Sequence, residues 1–371
     1  MALEVLGRRL PRFTADEGAE TIRAAIVFIE SLQVPCGGCA VLPAVQRSGA
    51  LALQGHAFCL AIWNDHVQTV QALLQLYGEH WIHATESDMP RVCFSRSLLA
   101  LAATYGATAT AIALVQANAS LETTSSFQTP LAEAVYKAHA DTASALLKLK
   151  ARLDAQEGHG PLQVAAEEGH VALAALLLEA KAAVNCCDSF GTTALCKAAE
   201  AGHAAVLALL LREDGAGVDL ADESGTTPLL HAASNGDAHI VAMLVQAKAA
   251  ANLANRSGQA PLRRAVESGD VSTVAFLLEA KAAVDARNHS GQTPLHRAVE
   301  WCQFPIVTIL LQAKAAIDAP GDGEWKIRSM YGRRRRIDML QLLKAQSAAR
   351  AGAMAGAEAE AGAEAEAGRR V

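Results

Sequence analysis

The sequence predicts an all-α protein built from repeated helix-turn-helix units. Two observations support this: a short hydrophobic box recurs about every 33 residues, and the apolar residues are mostly small and aliphatic. Hydrophobic residues make up 51% of the chain but aromatic residues only 4%, which favours slim, closely packed helices over a thick core. A fixed period of this size is the signature of a repeat architecture, in which each unit packs only against its neighbours.

The recurring box is clearest at 291–299, where the chain reads Gly-Gln-Thr-Pro-Leu-His-Arg-Ala-Val. The leucine of each box marks the period, with steps of 33, 34, 33 and 33 residues. These leucines are Leu162, Leu195, Leu229, Leu262 and Leu295. Weaker markers extend the series towards the N-terminus at Leu131, Leu99 and Phe58.

The residues inside each box predict where a helix begins. Thr227 and Thr293 offer a side-chain oxygen as N-cap, and a proline follows at the first helical position, where no backbone donor is lost. A glycine then follows the paired small residues of the first helix, where a tight turn between two helices needs positive φ. These glycines are Gly169, Gly202, Gly236 and Gly269.

The box and the unit length make residues 46–345 resemble the ankyrin-repeat family. The resemblance implies β-turn fingers, each followed by two helices, stacked into a solenoid whose fingers and first helices line a concave face for a partner. On this frame, 46–345 hold eight repeats and a degenerate C-terminal repeat. Residues 1–45 are then a partly helical N-terminal capping segment, and 346–371 are an Ala/Gly/Glu low-complexity tail.

The chain departs from the family where the second helix ends. Ankyrin helices usually end there at a glycine, but this chain repeats the phrase Ala-Lys-Ala-Ala. A left-handed residue with a side chain costs about 1–2 kcal/mol. Either this strain is accepted repeatedly or the turn differs. The lysines are Lys181, Lys248, Lys281 and Lys314.

The resemblance implies a non-enzymatic scaffold or adaptor that binds a partner protein. One alternative is a substrate-recognition subunit for a separate enzyme such as a ubiquitin ligase. Another is a thiol- or metal-dependent regulator that uses Cys36 and Cys39, whose C-x-x-C spacing suits a redox or zinc site. This pair stands alone, so a turn with two free thiols also explains it. No catalytic motif is present, and we expect no enzyme activity, cofactor or metal.

Charge and cysteine content narrow the choice of partner and compartment. A formal charge of −6 and a pI near 6.1 give no general attraction for phosphate backbones, so we expect no nucleic-acid partner. Eight scattered cysteines fit reduced thiols in the cytoplasm or nucleus. The basic run Arg333–Arg336 suits either a nuclear-import signal or a solvated face. No segment is apolar and long enough to span a membrane, and we expect a monomer.

Glutamates recur at one slot near the end of the first helix and predict an acidic ladder on the partner-binding face. Large side chains interrupt this ladder, and aromatic residues are typical binding anchors. We therefore predict a basic, partly hydrophobic partner, with solvated helix ends as the alternative. The candidate partner-binding residues are Tyr105, Tyr136, Lys137, Glu167, Glu168, Phe190, Glu200, Asn235, Glu267, Glu300 and Trp301.

Overall fold

The computed structural model describes residues 58–59, 61–77, 97–122, 128–154 and 159–316. The chain divides into two compact units, Met1–Ala216 and Gly217–Val371, here called the first unit and the second unit. In both units the described residues form pairs of short helices joined by tight turns. This arrangement confirms the predicted all-α repeat fold.

Helix pairs of the first unit follow one another along the chain. Helical residues at 61–63 precede α1. The helices are α1 (Val67–Tyr77), α2 (Leu98–Tyr105), α3 (Thr108–Gln116), α4 (Pro130–Tyr136), α5 (Ala140–Lys148), α6 (Pro161–Glu167), α7 (Val171–Glu179), α8 (Ala194–Ala201) and α9 (Ala204–Leu210). The first helices α2, α4, α6 and α8 pack side by side in that order.

The second unit repeats the same pattern three times in its described part. Its helices are α10 (Pro228–Asn235), α11 (Ala238–Gln246), α12 (Pro261–Ser268), α13 (Val271–Glu279), α14 (Pro294–Glu300) and α15 (Phe304–Gln312). The first helices α10, α12 and α14 pack against their neighbours, as do the second helices α11, α13 and α15.

Threonine caps begin the first helices as the sequence predicts. The hydroxyls of Thr227 and Thr293 accept hydrogen bonds from the backbone N–H groups of Leu230 and His296, at 3.3 and 3.4 Å. Proline occupies the first turn of both helices. Each cap satisfies a donor that the helix leaves unpaired, so the Thr-Pro boxes do begin helices.

The inter-helix turns confirm the predicted left-handed glycines. Gly169, Gly202, Gly236 and Gly269 have φ between 71° and 81°. At Gly169 the space is also restricted, because a Cβ built there would lie 2.6 Å from Nδ1 of His203 in the next repeat. Glycine is therefore required at Gly169 both by its backbone angle and by the packing of consecutive repeats.

The lysines at the ends of the second helices accept the left-handed conformation. Lys181, Lys248, Lys281 and Lys314 have φ between 60° and 72°, and Lys150 adopts the same conformation. The sequence leaves two alternatives open, and the structure supports the first: the backbone strain is accepted in each of these repeats, and the turn does not differ.

Small side chains allow the repeats to approach closely. The paired alanines of the first helices are fully buried, for example Ala165, Ala166, Ala198 and Ala199 in the first unit. Leucines and valines of the second helices complete the core, because each helix turns one apolar stripe inwards. Larger residues at the alanine positions would separate the helices of neighbouring units.

Polar side chains tie consecutive repeats together in a way that the sequence analysis did not anticipate. Asp219, Asn252 and Asp285 each follow a second helix, and Oδ1 of each accepts a backbone N–H about 31 residues further along the chain. The N···O distances are 2.9, 2.7 and 2.9 Å. We call these contacts the inter-repeat hydrogen bonds. They fix each repeat to the next outside the apolar core.

Several sequence predictions fall outside the described residues. These are the capping segment 1–45, the degenerate C-terminal repeat, the tail 346–371, the pair Cys36 and Cys39, and the basic run Arg333–Arg336. The boundaries of the array therefore stay predictions. In the part of the chain that the structure describes, no helix is both long enough and apolar enough to cross a membrane.

Candidate partner-binding surface

The predicted binding residues share one structural position. Except for Phe190, each lies in the last turn of a first helix or at its C-cap. We call these positions the helix ends. Most of their side chains are exposed, while Glu267 and Glu300 are of intermediate exposure. The fold therefore brings the predicted residues to equivalent places in successive repeats, and the two units are described separately below.

Aromatic side chains occupy the helix ends of the earliest repeats of the first unit. Tyr105 and Tyr136 are 43% and 40% exposed. Trp63, which is 47% exposed, stacks on Tyr105 with 5.8 Å between ring centroids and 11° between ring planes. The Nζ atom of Lys137 lies 4.6 Å from the ring centroid of Tyr136. The exposed rings of Trp63, Tyr105 and Tyr136 are here called the aromatic group.

Trp63 is a candidate binding residue that the sequence analysis missed. It follows the weak box marker Phe58 by five residues, the same spacing that separates Leu131 from Tyr136 and Leu162 from Glu167. That spacing was the available signal. It was obscured because Phe58 replaces the leucine of the box and the Thr-Pro pair is absent there.

Acidic helix ends follow the aromatic group along the first unit. Glu167, Glu168 and Glu200 are exposed. Nζ of Lys197 lies 3.5 Å from Oε2 of Glu167, whose side chain remains 45% exposed. Water can reach these carboxylates, so a screened ion pair of this kind contributes little to folding. They add negative charge to the surface that a partner would approach.

Phe190 lies at the tip of a finger rather than at a helix end. Oδ1 of Asp188 accepts the backbone N–H groups of Phe190 and Thr192, at 2.9 and 2.8 Å, and so holds a tight turn. An isolated antiparallel bridge joins Cys187 to Thr193 at its base. Phe190 is 62% exposed, which suits a binding role.

The helix ends of the second unit are different, because arginines surround Glu267. Its two carboxylate oxygens face Nε of Arg263 at 3.4 Å, Nη1 of Arg264 at 2.9 Å and Nη2 of Arg297 at 3.0 Å. Arg297 also pairs with Glu300 at 3.1 Å. We call these five residues the arginine cluster. Only 11% of the Glu267 side chain is exposed, so this carboxylate offers little to a basic partner.

A finger residue and a residue of the first helix α10 hold the arginines in place. Arg263 is buried, and its Nη2 atom donates to Oε1 of Gln292 at 3.3 Å. Nε of Arg264 donates to the hydroxyl of Ser234 at 2.7 Å. Burial lowers the pKa of His296, and the nearby charges of Arg287 and Arg263 lower it further. Burial, the larger cause, and these two charges together favour the neutral form of this histidine.

Trp301 extends the arginine cluster towards solvent. Its ring is 40% exposed, and Cζ of Arg297 lies 4.9 Å from its centroid, within cation–π range. Asn235 is exposed at the end of α10. The acidic ladder that the sequence predicts is thus uneven: Glu167, Glu168 and Glu200 are exposed to water, whereas Glu267 and Glu300 are less exposed and face arginines.

The described residues include cysteines and possible metal ligands other than Cys36 and Cys39. These residues contain no group of three or more His, Cys, Asp and Glu side chains placed to hold a metal ion. Burial raises the pKa of Cys186, and the charges of Asp154 and Cys187 raise it further. A raised pKa keeps this thiol protonated and poorly nucleophilic. Cys36 and Cys39, which carry the thiol hypothesis, lie outside the described residues.

Comparison with known families identifies the repeat unit. The family model described as ankyrin repeats matches the chain in three overlapping copies, at residues 162–255, 209–288 and 248–320. No curated protein matches the chain. The matched region covers the last repeats of the first unit and the described part of the second unit.

Proposed function

Because residues 162–320 are ankyrin repeats, we propose that this protein is a non-enzymatic scaffold that binds a partner protein through its helix ends. Ankyrin repeats generally mediate protein–protein interaction. The fold alone does not name a partner, since the same repeat architecture presents many different surfaces. The side chains at the helix ends therefore indicate what kind of partner the protein binds.

The aromatic group of the first unit is the observation that carries the proposal. Trp63, Tyr105 and Tyr136 are each 40% exposed or more, in a chain with few aromatic residues. Leaving large rings in water forgoes the free energy that their burial would supply. Such rings supply much of the affinity in protein interfaces when a partner covers them. The aromatic group supports the interpretation that a partner covers this surface.

The carboxylates of the first unit favour a basic partner that also offers apolar side chains. Glu167, Glu168 and Glu200 lie on the helix ends that follow the aromatic group, so a bound segment could touch rings and carboxylates in turn. Charges of this kind mainly increase the rate of encounter and select the partner. The rings would then slow its dissociation. If the helix ends are only solvated, the carboxylates and the rings should have no such separate effects on binding.

Capture of partners from a cell extract, measured by quantitative mass spectrometry, tests the aromatic anchors. We expect the double variant Tyr105→Ala/Tyr136→Ala to lose specifically captured proteins by about tenfold or more, as anchor residues usually do. Phe276→Ala is the matched control, because Phe276 is 40% exposed but lies in the second helix α13. Equal recovery by both variants would contradict the proposal.

The salt dependence of capture tests the acidic contribution separately. We expect Glu168→Lys/Glu200→Lys to weaken capture at low ionic strength and to matter much less at high ionic strength, where exposed charges are screened. Glu179→Lys is the control, since Glu179 is exposed at the end of the second helix α7. If the double variant and the control behave alike at low salt, acidic steering is excluded.

The remaining parts of the proposal concern compartment and assembly. We infer a monomer that acts in the cytoplasm, or in the nucleus if Arg333–Arg336 serves as an import signal, and that needs no cofactor. No nucleic-acid partner is included, because the net charge of −6 opposes binding to a phosphate backbone.

A further inference from the structure

The first helices of the second unit carry a net positive formal charge. Its first helices α10, α12 and α14 contain three arginines and two glutamates, a formal sum of +1. The glutamates are already used, because Glu267 faces three guanidinium groups and Glu300 faces Arg297. A basic partner would therefore meet carboxylates whose charge is already neutralised.

The arginines of the cluster are held in one arrangement before any partner arrives. Arg264 is fixed by Ser234 at 2.7 Å and by Glu267 at 2.9 Å. Arg297 is fixed by Glu267 and Glu300, with its guanidinium beside the ring of Trp301. Guanidinium groups that are already ordered lose little entropy when they bind a further group.

Arg264 and Arg297, which are both partly exposed, keep donors for a further acceptor. A guanidinium has five N–H donors. Among the described residues, Arg264 donates one hydrogen bond from Nε and one from Nη1. Arg297 donates one each from Nε, Nη1 and Nη2. Their side chains are 35% and 25% exposed. A carboxylate can accept two such donors at once.

We propose that Arg264 and Arg297 bind a carboxylate-bearing segment of a partner protein, with an apolar side chain of that segment on Trp301. This is a second interaction surface, opposite in preference to the one proposed for the first unit, and it does not depend on that proposal. Charge complementarity selects the occupant: Arg264 and Arg297 present partly exposed guanidinium donors on the second unit, and these attract Asp and Glu side chains.

A protein segment fits the arginine cluster better than a nucleic acid. Glu267 and Glu300 lie among the arginines, so a continuous row of phosphates would meet carboxylates as well as guanidinium groups. Phosphate-backbone binding also requires many neutralised charges in a row, and the cluster offers an excess of only one. One or two carboxylates beside an apolar residue match both this small excess and the exposed ring of Trp301.

Fluorescence anisotropy with the full-length protein tests the proposal. The probe is a labelled ten-residue peptide of alternating Glu and Leu, and its counterpart has Gln in place of Glu. We expect the Glu peptide to bind at least tenfold more tightly at low ionic strength. We expect the double variant Arg264→Gln/Arg297→Gln to bind the Glu peptide at least tenfold more weakly than the unmodified protein does. This variant keeps the Arg263–Glu267 pair, so the buried charges stay balanced.

Lys248→Gln/Lys281→Gln is the matched control, because it removes two positive charges from the second unit at the ends of second helices. We expect this control to change the affinity less than twofold. Circular dichroism melting shows whether each variant folds, and the single variant Arg264→Gln replaces the double variant if that one does not. Tyr105→Ala/Tyr136→Ala should bind the Glu peptide normally, which separates this surface from that of the first unit.

Four results would overturn the inference. The first is equal binding of the Glu and Gln peptides. The second is an equal loss of affinity in the arginine variant and the lysine control. The third is tighter binding of a single-stranded oligonucleotide of the same charge. The fourth is a tenfold gain in peptide affinity when Glu358, Glu360, Glu364 and Glu366 are replaced by Gln, which would make the chain's own acidic segment the occupant.

Discussion

The first helices of the two units share a backbone design but carry opposite charge. In the first unit, α2, α4, α6 and α8 contain one lysine and three glutamates, a formal sum of −2. In the second unit, α10, α12 and α14 contain three arginines and two glutamates, a sum of +1. The caps, left-handed turns and buried alanines are alike in both units. The repeat therefore constrains the backbone and core, and leaves the charge of the helix ends free to vary.

The two units also differ in how deeply a helix-end carboxylate lies. The side chain of Glu167 is 45% exposed and pairs with one lysine, whereas the side chain of Glu267 is 11% exposed and faces three arginines. The same slot of the repeat is thus part of an open surface in one unit and part of a packed ionic cluster in the other. This difference separates a residue available to a partner from one that stabilises its own unit.

Replacing Glu267 should have the largest effect among the tests of this difference between the units. Glu267→Gln leaves the buried Arg263 without its carboxylate, and we expect a loss of about 3 kcal/mol in the free energy of unfolding, as for one partner of a buried ion pair. Glu168→Gln in the first unit should change stability by less than about 0.5 kcal/mol, as exposed substitutions usually do. Urea unfolding followed by circular dichroism measures both.

Hydrogen–deuterium exchange locates the effect of Glu267→Gln. Repeat proteins unfold in local segments, so we expect faster exchange in α12 and α14 and unchanged exchange in α2 and α4. Equal destabilisation by Glu267→Gln and Glu168→Gln would show that the arginine cluster is as weakly coupled to folding as an exposed pair. The distinction drawn between the units would then be lost.

The inter-repeat hydrogen bonds allow a second test. Oδ1 of Asn252 accepts the backbone N–H of Ala283 at 2.7 Å in the second unit, while Oδ1 of Asp154 accepts that of Ala183 at 3.4 Å in the first unit. We expect Asn252→Ala to cost about 1 kcal/mol, a usual value for a good hydrogen bond, and Asp154→Ala to cost clearly less. Unfolding midpoints in urea provide the measurement, and the reverse order would show that bond length does not set the contribution.

The fold was largely predictable because its signals are local and periodic. The Thr-Pro caps, the glycines of the turns and the paired alanines each depend on residues a few positions apart, and each recurs with the 33-residue period. Trp63 was missed because its repeat lacks both the leucine and the Thr-Pro pair. Where the sequence left the lysine turns undecided, the structure shows that the repeated strain is accepted.

The charges of the helix ends were harder to predict because they depend on contacts between repeats. Glu267 and Glu167 occupy the same slot, so the sequence pattern treats them alike. The difference arises because Arg297 and Glu267, 30 residues apart, are brought within 3.0 Å by stacking of α14 on α12. The sequence pattern of a single repeat predicts where a carboxylate lies in that repeat. It does not predict which charged side chains of the adjacent repeat lie beside it.

The left-handed lysines test what the two units share, since they should behave alike in both units. Lys181 and Lys281 have φ of 72° and 60°. Glycine relieves the left-handed strain but has more freedom in the unfolded chain, so Lys181→Gly and Lys281→Gly should each stabilise the protein by roughly 0.5–1 kcal/mol. Thermal unfolding measures both shifts. If only one variant is stabilised, the backbones of the two units differ more than their φ angles indicate.

The smallest predicted effect concerns a finger, where the second unit uses both acidic and neutral side chains for one turn. Oδ1 of Asp222 accepts the backbone N–H groups of Ser224 and Thr226, and Oδ1 of Asn255 makes the equivalent bonds to Ser257 and Gln259. Burial raises the pKa of Asp222, but the hydrogen bonds outweigh it and hold this pKa below its ordinary value. A native pKa below the unfolded one makes the ionised carboxylate stabilising at neutral pH.

That contribution is lost as the pH falls through the native pKa of Asp222, which lies below the ordinary value for an aspartate. Asp222→Asn should therefore lower the free energy of unfolding by a few tenths of a kcal/mol at pH 7 and make the acid limb of the stability–pH curve shallower. Because Asn255 holds the same turn without charge, the variant should keep the finger intact. Urea unfolding between pH 2 and pH 7 tests this, and an acid limb as steep as that of the unmodified chain would show that Asp222 does not contribute to it.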